Sequence, residues 1–190
     1  MPVSVFLHGK HIDLVALTEA HAAGPDWFAW FNDAEVTRFM QKHYHPNTPE
    51  QQLDYYRREV VGNPGKLQLG VVPSGEDHLV GVVSLSRIDH LNQKAEIALV
   101  MGNPNYRNMR HTLEAMKLTI EHGFDTLNLR RIHGGTLARD WALLLCRTLG
   151  FREEGVLRQD VYKDGAFQDI HLVAVLRDDY RALPADQKQF

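Results

Sequence analysis

The chain carries a single cysteine, Cys146, among 190 residues. No internal disulfide framework can form, so an apolar core must hold the fold. There is no run of lysine and arginine, and the formal charge is −3. Such a chain has no field to gather a nucleic-acid backbone, and no nucleic-acid partner is expected. No apolar run approaches the roughly 18–20 residues that cross a bilayer, so no membrane partner is expected either. The start, Met1-Pro2-Val3-Ser4-Val5-Phe6-Leu7-His8, lacks the basic segment and apolar core of a signal peptide, which leaves a cytoplasmic protein as the expectation. Linkers, repeats and low-complexity tracts are missing too, and the length suits one domain over residues 1–190. Histidine is plentiful, but the tightest cluster, His43-Tyr44-His45, has no cysteine or acidic partner at ligand spacing. Solvated loop histidines, and no metal, are expected.

The pattern that is present alternates strands and helices. Ile12, Leu14 and Ala16 suit a first strand. Thr18 offers a cap for a helical stretch through Trp27, Trp30 and Phe31, which Asn32-Asp33 break. Thr48-Pro49-Glu50-Gln51 is a capping box opening a helix through Leu53, Tyr56 and Val60, and Gly62-Asn63-Pro64-Gly65 ends it. Residues 66–72 and 79–85 read as hairpin strands around Pro73-Ser74-Gly75-Glu76-Asp77. Residues 96–101 are almost continuously apolar, as in a strand covered on both faces. Leu113, Met116, Ile120, Phe124 and Leu127 repeat at helical spacing, predicting a helix over about 112–126. Residues 131–136 form a short strand, and a helix bearing Trp141, Leu144, Leu145 and Leu149 ends at Gly150. Asp164-Gly165 joins a final hairpin. The sum is a mixed α/β (α+β) domain around a central twisted sheet flanked by helices.

Three residues and one loop can carry chemistry. The strand-loop-helix from Glu96 to Phe124 ends in a helix start, whose unpaired amides favour an anion. Arg107 and Arg110 can pair with phosphate oxygens, and Thr112 can cap the helix. Glu96 is a candidate general base, or at least equally a strand-end carboxylate facing solvent or a neighbouring arginine. His133 is the alternative base, with a more suitable intrinsic pKa. Cys146 reads as a small packed hydrophobe, with proton donation or nucleophilic attack as its other roles.

Taken in order, several segments form a recognisable series. They are Glu96-Ile97-Ala98-Leu99-Val100-Met101-Gly102, then Tyr106-Arg107-Asn108-Met109-Arg110-His111-Thr112, then Glu114-Ala115 and Arg131-Ile132. Leu149-Gly150-Phe151, Glu154-Gly155, Asp164-Gly165 and Asp169 follow. The series resembles the second half of GNAT-superfamily N-acetyltransferases. It lies nearest the branch acting on sugar-nucleotide amines, polyamines and ribosomal-protein N-termini, and the likeness spans about residues 11–180. The resemblance implies that acetyl-CoA is the cosubstrate, with its pyrophosphate on residues 107–112 and the backbone of Leu99, Val100 and Met101 stabilising the acyl group. It also implies a sheet splayed near residues 96–101, direct attack by a primary amine of a small molecule or peptide, and an acceptor cleft near Trp27, Trp30, Tyr55 and Tyr56. Family members are often homodimers. The phosphate loop is degenerate, because Asn108, Arg110 and Thr112 stand at positions that usually hold glycine. Cys146 stands where the family carries a tyrosine that protonates the leaving thiolate, and Arg139 stands at its helix-opening asparagine. These departures leave two further readings, a binding module that has lost catalysis and an acyltransferase with a different acyl donor.

Overall fold

The computed structural model describes residues 4–40, 44–184 and 187. His43 of the His43-Tyr44-His45 cluster lies outside them. Eight strands form one mixed sheet in the order β1-β2-β3-β4-β5-β6-β8-β7. They are β1 (Val5–His8), β2 (Ile12–Ala16), β3 (Lys66–Pro73), β4 (Gly81–Asp89), β5 (Lys94–Met101), β6 (Arg131–Thr136), β7 (Arg152–Lys163) and β8 (Ala166–Leu176). Every ladder is antiparallel except β5–β6. Strand β1 has no counterpart in the sequence reading, because it turns only Val5 and Leu7 partly inward. Strand β4 is displaced from the expected 79–85.

Helices α1 (Glu19–Ala23), α2 (Pro25–Trp30), α3 (Ala34–Thr37) and α4 (Pro49–Tyr55, continued by a π-turn over Tyr56–Val60) cover one face. The single helix expected after Thr18 is two helices, since Gly24 is extended and Pro25 restarts the chain at a first helical position. Thr48 and Gln51 form the expected capping box at 3.2 and 3.1 Å. Helices α5 (Met109–Asp125) and α6 (Arg139–Leu149) cover the opposite face, and α7 (Arg177–Ala182) closes the chain against β8. Leu113, Met116, Ile120 and Phe124 of α5 are all buried against Leu85, Ile97 and Ile132 of the sheet, which is the reason the helix lies there. Its buried Glu114 accepts the backbone amides of Lys10 and His11, fixing the β1–β2 turn to the helix. Hydrogen bonds to a charged group of this kind contribute about 1.5–3 kcal/mol.

The β7–β8 hairpin turns at Asp164 and Gly165, both at positive φ. Asp169 accepts the amide of Gln159 at 2.8 Å, holding a bulge in β7. Buried Lys163 donates to the carbonyls of Thr37 and Met40, tying the hairpin tip to α3. No helix among the described residues is long and apolar enough to cross a membrane.

Candidate active site

Strands β5 and β6 pair only at Lys94↔Arg131, Ala95↔Ile132 and Glu96↔His133. Beyond Glu96, β5 continues to Met101 on β4 alone, and β6 continues to Thr136 on β8 alone. The sheet therefore opens into a notch with Glu96 and His133 at its closed end. Gly134 sits just past the last pair, where a Cβ would come within 3.2 Å of the Ile97 carbonyl. A side chain there would crowd the notch where it starts to open.

Alternation along the strands assigns the faces. Ile97 and Leu99 point to the α5–α6 side, Met101 packs there with them, and Val100 packs among α1–α4. Leu99, Val100 and Met101 thus present backbone to the notch, and their side chains belong to the cores. On the α1–α4 side the face is apolar through Val15, Val82 and Val100, then turns polar. One cross-strand row holds Gln68, Ser84 and Ala98, and the next holds Lys66, Ser86, Glu96 and His133. Tyr55 borders these rows, its hydroxyl accepting from the Lys66 ammonium at 2.5 Å and donating to Gln68 at 2.8 Å. Trp27 and Trp30 are buried in the core instead, and Tyr56 donates to the Leu17 carbonyl. Of the four aromatic residues expected along the cleft, Tyr55 lies at these rows.

Glu96 has a partner the sequence did not reveal. Arg87 has a positive φ of 51° at a bulge in β4, and its guanidinium lies 3.2 Å from the Glu96 carboxylate. Bulges re-aim side chains in this way beside functional sites. Burial pushes the His133 imidazole below its ordinary value of 6.5, and Arg131 and Lys94 push it further, against Glu96 and Glu154. A neutral ring results, able to accept a proton near neutral pH. Lys66, Gln68, Ser84, Ser86 and Arg87 were the residues missed. The polar alternation 66/68 and 84/86 was visible, but its alignment with Glu96 needed the register.

At the open end of the notch, Asn108 rather than Thr112 caps α5. Its side chain accepts the His111 amide at 3.2 Å and lies 2.8 Å from that ring's Nδ1, while the Thr112 hydroxyl bonds back to the Asn108 carbonyl. The helix thus begins at Met109, a turn before the apolar stripe that marked it in sequence. Arg107 is exposed, and its Nε and Nη2 donate to the Met101 and Gly102 carbonyls at 3.2 and 3.0 Å. It pins the loop to the end of β5. The amides of Met109 and Arg110 head the helix, and the Arg110 side chain is exposed. The His111 ring lies among Tyr106 and His11. The residues present fit a pyrophosphate through helix-start amides and one arginine.

Cys146 lies on α6, partly buried against the core. Burial pushes its thiol up, with the Glu153 carboxylate acting in the same direction, so it is a neutral thiol and not a nucleophilic thiolate. Arg139 is the exposed first residue of α6, a helix whose cap position, Ala138, offers no side-chain bond. We expect Cys146→Ala to keep turnover within about threefold in a thiol-release assay, because the residue packs as a small hydrophobe. A hundredfold loss with the fold intact would show proton transfer through the sulfur.

Comparison with known proteins agrees with this geometry. The chain is 26% identical over 159 residues to the uncharacterized N-acetyltransferase p20 of Bacillus licheniformis, covering 80% of this chain and 85% of that protein. It is 25% identical over 111 residues to spermidine N(1)-acetyltransferase of Vibrio cholerae, covering 58% of this chain and 64% of that one. The crystal structure of the Vibrio cholerae spermidine N-acetyltransferase in complex with CoA and spermine superposes with a TM-score of 0.79 at 19% identity, over 90% of this chain and 98% of that one. A GNAT-family acetyltransferase from Bacillus anthracis gives 0.74 at 19%, over 91% and 99%. The model of the acetyltransferase (GNAT) domain matches residues 11–152, well over half the chain, and the protein belongs to that family, an N-acyltransferase by class.

Proposed function

We propose that the protein transfers the acetyl group of acetyl-CoA to a primary amine of a small molecule or peptide N-terminus. The observation that carries this reading is the notch, which joins the α5–α6 side of the sheet to a polar row on the α1–α4 side at Glu96 and His133. In this reading the thioester arm lies along the unpaired edge of β5, residues 97–101, with its pyrophosphate at the start of α5. The amine approaches from the polar row. It gives a proton to neutral His133, directly or through water, and its lone pair attacks the thioester carbonyl. Glu96, beside His133 in register, steadies the imidazolium that forms. Backbone amides of β5 support the developing oxyanion. The C–S bond breaks and the thiolate takes a proton, leaving an amide and free CoA. Relatives that act on spermidine support a primary amine as the acceptor class.

Calorimetric titration with acetyl-CoA, followed by thiol release over an amine panel, tests the reading. Micromolar binding with turnover supports it. Binding without turnover of any amine favours the non-catalytic module, a reading to which the commitment of Arg107 and the cysteine at position 146 lend weight. Arg110 gives a sharper check. Losing one charge-assisted contact of about 1.5–3 kcal/mol should weaken CoA about tenfold or more in Arg110→Ala. Pantetheine, which lacks the pyrophosphate, should bind both proteins alike. Unchanged CoA affinity would remove this loop from the site.

A further inference from the structure

Resting on the amine-acetylation reading, we propose that the acceptor carries an anionic group, a carboxylate or a phosphate, beside its reacting amine. The charges on the polar face point there. Lys66 and Glu96 share one row, and Arg87 reaches that same carboxylate from the adjoining bulge. Lys94 and Arg131 are paired in the next row on the same face, beside His133. Opposing them are three carboxylates, each already engaged. Glu96 holds Arg87, Glu154 holds Arg131 through both oxygens, and Asp89 holds the amide and side chain of Asn92 at 2.9 and 2.7 Å. Among the described residues, neither Lys66 nor Lys94 has a carboxylate within ion-pair distance. Lys66 spends its ammonium on the Tyr55 hydroxyl, a neutral partner.

A cationic face of this kind acts on an incoming amine in two ways. It lowers the affinity of the reacting amine for its proton, which favours the neutral nucleophile. It repels every further ammonium on the acceptor and attracts an anionic substituent. A polycation must seat its extra ammoniums against uncommitted carboxylates; among the described residues the two sheet rows beside His133 offer none, and the exposed carboxylates on this side, Asp26 and Asp54 among them, sit on the covering helices. The Arg87 guanidinium, 81% accessible and touching Glu96 through one nitrogen, has further N–H groups to offer, and with the Lys66 ammonium it suits one carboxylate or phosphate.

Length-matched amines test the proposal. Thiol release at low salt is compared for 4-aminobutyrate against 1,4-diaminobutane, and for O-phosphoethanolamine against 1,3-diaminopropane. The two pairs separate a carboxylate from a phosphate as the preferred group. We expect kcat/KM at least tenfold higher for the anionic member of one pair or both. Arg87→Gln and Lys66→Gln should each shrink that ratio severalfold, and Arg181→Gln, remote and paired with Asp125, should leave it alone. Equal or reversed preference overturns the proposal, as does a ratio that neither variant moves. Turnover of none of the four amines, while other amines of the wider panel are acetylated, overturns it as well. Failure of the underlying reading looks different, because acetyl-CoA then either does not bind or is turned over with no amine of the whole panel.

Discussion

His133→Gln is expected to lower kcat/KM by about 10²–10⁴, the usual contribution of a positioned general base. The pH dependence separates this from a merely structural loss. A base must be deprotonated to act, so the wild-type rate falls as pH drops through the His133 pKa. Burial and the neighbouring cations set that pKa below 6.5, which places the acid limb of kcat/KM on the low side of that value. The glutamine variant should lack this limb and keep acetyl-CoA affinity unchanged. Glu96→Gln should cost less, because Glu96 supports the imidazolium and is already held by Arg87. Were the limb to survive in His133→Gln and vanish in Glu96→Gln, the two roles would be exchanged. Survival in both would remove this pair from catalysis.

Gly102→Ala is expected to be strongly destabilising for a single added methyl. Gly102 follows β5 directly and lies flat against the Trp30 indole, where a Cβ would fall 1.9–2.3 Å from three ring atoms. The ring is 7% exposed and part of the core with Trp27 and Val100, so it has little room to withdraw. Overpacking of this sort costs about 3 kcal/mol at the upper end of its usual range. The damage reaches the site as well, since the Gly102 carbonyl receives Arg107, which pins the loop before α5. Denaturant titration should show the loss of stability, together with weaker acetyl-CoA binding. Trp30→Phe in the Gly102→Ala background should recover part of both, whereas the same change in wild type should destabilise. Strict additivity of the two substitutions would mean that the ring and the glycine do not press on each other.

Local chemistry was enough for much of this molecule. The Thr48 capping box, the left-handed Gly150 after α6 and the Asp164-Gly165 turn stand where their residue types placed them, because each answers to backbone geometry within a few residues. The apolar stripe of α5 and the two-faced burial of β5 were legible for a similar reason, since periodicity records which side meets the core. Boundaries were less secure. Asn108 starts α5 with a cap that an apolar stripe does not register, and Gly24-Pro25 cut one expected helix into two.

Periodicity and residue chemistry were enough to read the mixed sheet, its covering helices and the 96–101 strand, and to single out Glu96, His133 and the 107–112 loop. Which partners these residues meet follows from the packed strands. Arg87 reaches Glu96 because a bulge with positive φ turns it there, and Arg107 folds back to donate to the carbonyls of Met101 and Gly102 at the start of its own loop. Lys66, Ser86, Glu96 and His133 lie far apart in the chain and become one row through the register of four strands. Register is set by long-range pairing of whole strands, which no local pattern encodes, and it is register that gives the cleft its charge.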